Sequence, residues 1–164
     1  MPEQPDLTFL HHLSLAQQAV ALAMELHADQ RRESDGASFV VHPMEVASLL
    51  DRSHYPDHVV AAAVLHDVLE DTDEERGDLE ARFGREVADL VAAVSDDPSI
   101  AGEDERKAEL RERVRAAGGY AAAVYASDKV SKVREIRTAL AAGRAREEVE
   151  PKLRRHRASL VMLE

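Results

Sequence analysis

The aliphatic run Val59-Val60-Ala61-Ala62-Ala63-Val64-Leu65 and the cluster His66-Asp67-Val68-Leu69-Glu70-Asp71-Thr72 that follows it constrain this 164-residue chain more than any other feature. An unbroken apolar stretch of this kind belongs in a core. It leads directly into an imidazole and three carboxylates, so the core must accommodate charge where the run ends. If one helix carries both stretches, His66 and Glu70 share one face and Asp67 and Asp71 the neighbouring face, because residues four apart stack. So much like charge is costly there unless something positive neutralises it, and a divalent metal with imidazole and carboxylate ligands is the natural candidate. The rival reading is a solvated acidic helix end; an aliphatic run leading into His-Asp is not how exposed faces are written.

The rest of the chain points to helices. Hydrophobic residues make up 45% of it, but aromatics only 4%, and there is no Trp. A core made of Ala, Leu and Val favours closely packed helices over a sheet. Ser14, with Gln17 three residues later, resembles a capping box opening a helix to Leu26. Gln30 to Val41 reads as a loop, and His42-Pro43 starts a second helix. Pro56 opens a third that ends near Glu70. Amphipathic segments Asp78–Arg82 and Arg85–Val94 flank Phe83-Gly84, a polar helix runs from about Glu103 to Ala116, and an aliphatic one from Tyr120 to Leu140. A last amphipathic helix carries Val149, Leu153, Leu160 and Leu163, with Pro151 in or near its first turn. No strand is convincing. The expected fold is all-α: one domain over 1–164, with a motif-bearing core at about 15–140 and a C-terminal helix at about 147–163.

Bulk charge excludes several function classes. A net charge of −11 disfavours nucleic-acid polymers and anionic membranes as partners. The absence of cysteine excludes disulfides, thiolate catalysis and Cys-based metal sites. No apolar segment approaches bilayer length, and Met1 to Leu15 lacks the basic start of a secretory signal, so a soluble cytoplasmic protein is expected.

Two further residues bear on the central cluster. Asp128 intrudes on the aliphatic stretch 121–130, and a buried carboxylate needs a metal or a salt-bridge partner; the local pattern supports either. His42, read alone, is more often a helix cap or a satisfied loop residue than a ligand. The histidines at 11, 12, 27, 54, 58 and 156 stand in polar or helix-face contexts and are read as structural.

Taken in order, Gln30-Arg31-Arg32, Phe39-Val40-Val41-His42-Pro43, His66-Asp67-Val68-Leu69-Glu70-Asp71-Thr72, Phe83-Gly84, Val94-Ser95-Asp96-Asp97, Glu105-Arg106-Lys107 and Ser127-Asp128-Lys129 form a familiar series. It resembles the HD-domain metal phosphohydrolases, and within them the short single-domain alarmone hydrolases of the RelA/SpoT type. The resemblance covers about Leu15 to Leu140 and implies an HD-type helical bundle. It implies that His42, His66, Asp67 and Asp128 ligate one divalent ion, manganese as in the resembled enzymes, with iron, cobalt or zinc also compatible. It makes Glu70 and Asp71 the catalytic acidic pair that handles the proton of the attacking water. The implied substrate is a phosphorylated nucleotide, guanosine 3′,5′-bis(diphosphate) or a relative, from which pyrophosphate is removed.

Three departures from the family pattern lie near the expected nucleotide. Arg32-Glu33 stands for Arg-Lys, Ser38-Phe39 for Pro-Tyr, and Lys132 for an asparagine four residues after Asp128. Arg32, Lys129 and Lys132 are the candidate substrate contacts. The departures favour a second reading, an HD phosphohydrolase for another nucleotide or cofactor phosphate. A third is a metal-stabilised binding or regulatory domain with little turnover, against which the retention of both Glu70 and Asp71 argues. The oligomeric state is not legible.

Overall fold

The computed structural model describes residues 7–164; residues 1–6, part of the segment read above for a targeting signal, lie outside the described residues. A 3₁₀ turn, Thr8–His12, precedes nine α-helical segments. They are α1 Ser14–Leu26, α2 Val41–Arg52, α3 Asp57–Val64, α4 Val68–Asp71, α5 Arg76–Phe83, α6 Arg85–Val94, α7 Glu103–Ala117, α8 Gly119–Ala141 and α9 Arg146–Leu163. Among the described residues the only β pairing is an isolated antiparallel bridge, Arg31 with Ser38, inside the loop between α1 and α2. No helix among them is long and apolar enough to cross a membrane.

Helix α3 is the hub, packing on α1, α2, α6 and α8. Every residue from Val59 to Val68 is buried. Ala61, Ala62 and Ala63 are fully inaccessible, and such small side chains let four helices approach one another closely. Helix α8 lies across α2, α6 and α7, and α9 closes over α7 and α8. Two tight corners set these directions. Gly84 (φ +87°) joins α5 to α6, and Gly118 (φ +96°, ψ −169°) alone joins α7 to α8. Both occupy a backbone region open essentially to glycine.

The third helix is shorter than its sequence suggests. It stops at Val64 rather than near Glu70, and His66 and Asp67 fall in the break before α4. The cause is local: the His66 ring donates from Nδ1 to the Ala63 carbonyl at 2.8 Å, satisfying an orphan acceptor at the helix end. His66 and Glu70 therefore do not stack on one continuous helix face. The expected Ser14 capping box is also absent. Asp57, at the start of α3, accepts instead from the backbone N–H groups of Leu15 (2.9 Å) and Ala16 (2.8 Å). One carboxylate thus serves α1 from another helix. At the far end Val149 is buried and Leu153 and Leu163 half-buried, but Leu160 faces outward, 59% exposed.

Asp57→Ala should leave two first-turn N–H groups of α1 without their partner and destabilise the fold by about 1–2 kcal/mol. Thermal unfolding followed by circular dichroism should show a melting temperature lower by roughly 3–6 °C; an unchanged value would mean that solvent replaces the carboxylate at no cost.

Candidate metal centre and cleft

Three elements converge on one point: the first turn of α2 brings His42, the α3–α4 break His66 and Asp67, and the middle of α8 Asp128. All four side chains are buried. The two imidazole Nε2 atoms lie 3.2 Å apart. Asp128 Oδ1 is 3.1 Å from the His42 Nε2 and 3.6 Å from that of His66. Asp67 Oδ2 is 3.1 Å from His66 Nε2 and 3.7 Å from His42 Nε2. One ligand atom from each of His42, His66 and Asp128 falls within a 4.8 Å group. Neighbouring donors around an octahedral ion at about 2.1 Å would stand about 3 Å apart, so these spacings suit a single ion.

The outer nitrogen of each ring shows which atom faces inward. His66 Nδ1–H is used on the Ala63 carbonyl. His42 Nδ1 lies 2.9 Å from Ser131 Oγ, and that hydroxyl donates to Glu45 Oε2 at 2.8 Å, so it accepts from the ring. Glu45 is held in turn by Arg134 at 2.7 Å. Burial pushes Glu45 up, but Arg134 and Ser131 hold it below its ordinary value. With both Nδ1 atoms acting as donors, both neutral rings aim lone pairs from Nε2 at each other and at two carboxylates. A cation must sit among them. With only protons available, His66 takes that role: burial pushes it down, but Asp67 and Asp128 outweigh burial and raise it to about 10. The donor set therefore fits a divalent ion, with imidazole and carboxylate donors and no thiolate.

Both alternatives left open by the sequence context of Asp128 have geometric support, since besides facing the two imidazoles it carries salt-bridge partners. No arginine pairs with it; two lysines do, Lys129 Nζ at 2.7 Å from Oδ2 and Lys132 Nζ at 3.0 Å from Oδ1. Burial pushes Asp128 up, yet the two lysines and the two imidazoles hold it well below the usual carboxylate range.

An open cleft of about 590 Å³ lies over this centre and is lined by residues that include His42, Asp67, Glu70, Asp71, Arg32 and Lys132. Glu70 Oε1 accepts from the Asp96 backbone N–H at 2.7 Å. Asp96 is fixed by Lys107 at 2.5 Å and Arg106 at 3.4 Å, which gives the Asp96 and Arg106-Lys107 landmarks a role. Loss of hydration and the Asp67 charge push both Glu70 and Asp71 upward, opposed at Glu70 by the Asp96 N–H. Arg32 lines the cleft, but its guanidinium is engaged by Asp35 and by Glu135 at 3.6 Å. Lys129 does not line it; its ammonium stands 4.4 Å from the Tyr125 ring centre and faces a different cavity. Sequence reasoning missed Glu45, Ser131, Arg144 and Lys152. For Glu45 and Ser131 there was a signal: each lies three residues after a candidate ligand, on facing helices.

A family model described as "HD domain" matches residues 19–151. The chain belongs to the HD domain family. Its relatives include a zebrafish (Danio rerio) protein named guanosine-3′,5′-bis(diphosphate) 3′-pyrophosphohydrolase MESH1, 35% identical over 73% of this chain and 67% of that protein. A Synechocystis protein named as a probable enzyme of the same activity is 46% identical over 47% of this chain. This HD domain spans about a tenth of that relative's length, 10%. A solved structure described as a metazoan ortholog of SpoT that hydrolyzes ppGpp superposes with a TM-score of 0.82 at 27% identity, covering 92% of this chain and 86% of the other.

Because Ser131 and Glu45 orient the ring of His42, a candidate ligand, Ser131→Ala should weaken manganese binding roughly 10–100-fold without unfolding the protein. Titration of the metal-free protein measures this, with His66→Ala and Asp128→Ala as variants that should lose the ion altogether. In wild type, chelation should lower the melting temperature. Equal metal affinity in all four proteins would remove the centre from consideration.

Proposed function

We propose that this HD domain is a metal-dependent phosphohydrolase that removes pyrophosphate from guanosine 3′,5′-bis(diphosphate) or a closely related phosphorylated nucleotide. The observation that carries the reading is a cleft lined by Glu70 and Asp71 together with His42 and Asp67, with His66 and Asp128 buried directly beside the last two. The names of the zebrafish and Synechocystis relatives supply the substrate. His42, His66, Asp67 and Asp128 would hold one divalent ion, manganese first among candidates. The ion supplies Lewis-acid polarisation of the phosphoryl group.

The residues of the chain do the rest. Asp67 and Asp128 exclude like-charged oxygens from their side of the centre and so orient the anionic substrate. Glu70, steadied by the Asp96 N–H, and Asp71 position a water and accept its proton as its oxygen bonds to phosphorus. The bond between that phosphorus and the ribose 3′ oxygen breaks. The raised proton affinity of the pair lets the proton return to the departing oxygen, leaving the 3′ hydroxyl and free pyrophosphate.

Glu33 and Lys132 both line the cleft. An exposed carboxylate at position 33 repels a phosphate that Lys132 attracts, and the balance sets which nucleotide is used best.

Glu70→Gln and Asp71→Asn should retain metal and fold but lose turnover of guanosine 3′,5′-bis(diphosphate) by roughly two to four orders of magnitude. Pyrophosphate release with added manganese, beside elemental analysis of each variant, checks both halves. A variant that loses the ion would be a ligand instead, and full turnover in both would assign the proton to another group.

A further inference from the structure

Helix α4, which carries Glu70 and Asp71, is a single turn of four residues. A turn this short does not hold itself, because nucleating a helix costs more than one turn of hydrogen bonds returns. Its conformation depends on what grips it from outside. The Asp96 N–H fixes the Glu70 side chain at 2.7 Å, and Thr72 closes the turn by donating its hydroxyl to the Val68 carbonyl at 2.7 Å. Asp71 is gripped by its backbone: the Gln30 side chain donates from Nε2 to its carbonyl at 3.1 Å. That carbonyl is the last of the turn, one of the acceptors that a helix end leaves open.

Gln30 is itself held. Its N–H donates to the His27 carbonyl, and its own carbonyl accepts from the Phe39 N–H, both at 3.0 Å. Its side-chain oxygen lies 2.9 Å from His27 Nδ1. Chemistry fixes the direction of these bonds. The Asp71 carbonyl only accepts, so the amide turns its NH2 to Asp71 and its oxygen to the ring, and Nδ1 is the donor. An amide turned the other way would lose both contacts at once. The imidazole therefore dictates which way the amide faces.

Stability does not call for an imidazole at this place. His27 is fully inaccessible, 0% exposed, and its ring packs 4.8 Å from that of Phe39. Among the described residues its Nε2 has no hydrogen-bond partner. A buried polar atom left unpaired works against folding, and an aliphatic side chain of similar volume would fill the space without that penalty. The Nδ1 contact with Gln30 is what an aliphatic residue could not supply.

We propose that His27 is a positioning residue for the hydrolysis: through Gln30 it fixes the Asp71 carbonyl, and with it the place from which the Asp71 carboxylate takes the proton of the attacking water. The proposal rests on the phosphohydrolase reading. His27 is its cleanest probe, because Gln30 lines the cleft and His27 does not, so His27 acts without touching substrate.

Wild type, His27→Leu and His27→Asn are compared as full chains. Leucine keeps the volume and removes the donor, whereas the asparagine amide nitrogen can stand where Nδ1 stands. With manganese present, kcat for guanosine 3′,5′-bis(diphosphate) should fall about tenfold in His27→Leu, the weight of one hydrogen bond, with KM unchanged. His27→Asn should recover most of that loss. The melting temperature of His27→Leu should equal or exceed that of wild type. Amide hydrogen exchange of residues 70–72, followed without nucleotide, should be about tenfold faster in His27→Leu and return toward the wild-type rate in His27→Asn. Unchanged kcat or unchanged exchange in His27→Leu overturns the proposal. So does a loss of kcat that asparagine leaves unrecovered or that accompanies a lowered melting temperature, which marks a merely structural residue. If wild type releases no pyrophosphate from the nucleotide, the phosphohydrolase reading has failed and hydrogen exchange alone decides: acceleration that asparagine reverses supports the positioning role, and exchange that is unaltered, or accelerated in both variants, overturns it.

Discussion

Everything in this fold is arranged around a cost: two imidazoles and two carboxylates meet inside an aliphatic core. Burying one such group without a partner costs several kcal/mol, and four together would unfold a protein of ordinary stability. Each outer ring nitrogen is assigned a partner, Ala63 for His66 and Ser131 for His42, so neither ring can rotate away or change tautomer freely. Lys129 and Lys132 bracket Asp128 and offset part of the negative charge. Among the described residues, Asp67 and the two inward-facing Nε2 atoms have no such cation beside them, and that is what makes the centre receptive to one. Stability and cation affinity are here one quantity seen from two sides.

The fold class was readable because its signals are local. Aliphatic runs at helical spacing, the aromatic shortage, Pro43 in a first turn and the glycines at 84 and 118 each act within a few residues, and the helices lie close to where these place them. What escaped was decided by distant partners. Ser14 has the chemistry of a cap, yet Asp57, over forty residues away, does the capping. His66 looks like one more helical residue, but its ring takes the carbonyl that would have continued the helix. At the centre, the convergence of residues 42, 66, 67 and 128 depends on the packing of α2 and α8 against α3, which no spacing reveals. Family resemblance, rather than physics alone, joined them in advance. Glu45 and Ser131 could have been found by asking which polar groups lie one turn beyond each ligand.

The charged centre and the cavities beside it share elements but are not built from the same set. The centre is built on α2, the α3–α4 break and α8, all tied to the hub. The cleft and the cavity between α7, α8 and α9 add to α8 and the α3–α4 break the loop between α1 and α2, the facing sides of α7 and α9 and the turn before α9. Glu33, Phe39 and Lys132, which depart from the resembled pattern, all line the cleft. Phe39 shows the boundary between the two: its ring packs 4.8 Å from that of His27 and 6.2 Å from that of His42, so replacing tyrosine keeps the packing while removing a hydroxyl.

The single-residue corner at Gly118 has a consequence of its own. Its backbone angles exclude a side chain, and with no linker to absorb movement α7 and α8 meet at a fixed inclination. These helices form two walls of the cavity that Lys129 faces. A recess whose walls are joined in this way stands open before any guest arrives, so little ordering entropy is lost on filling it and more of each contact is expressed as affinity.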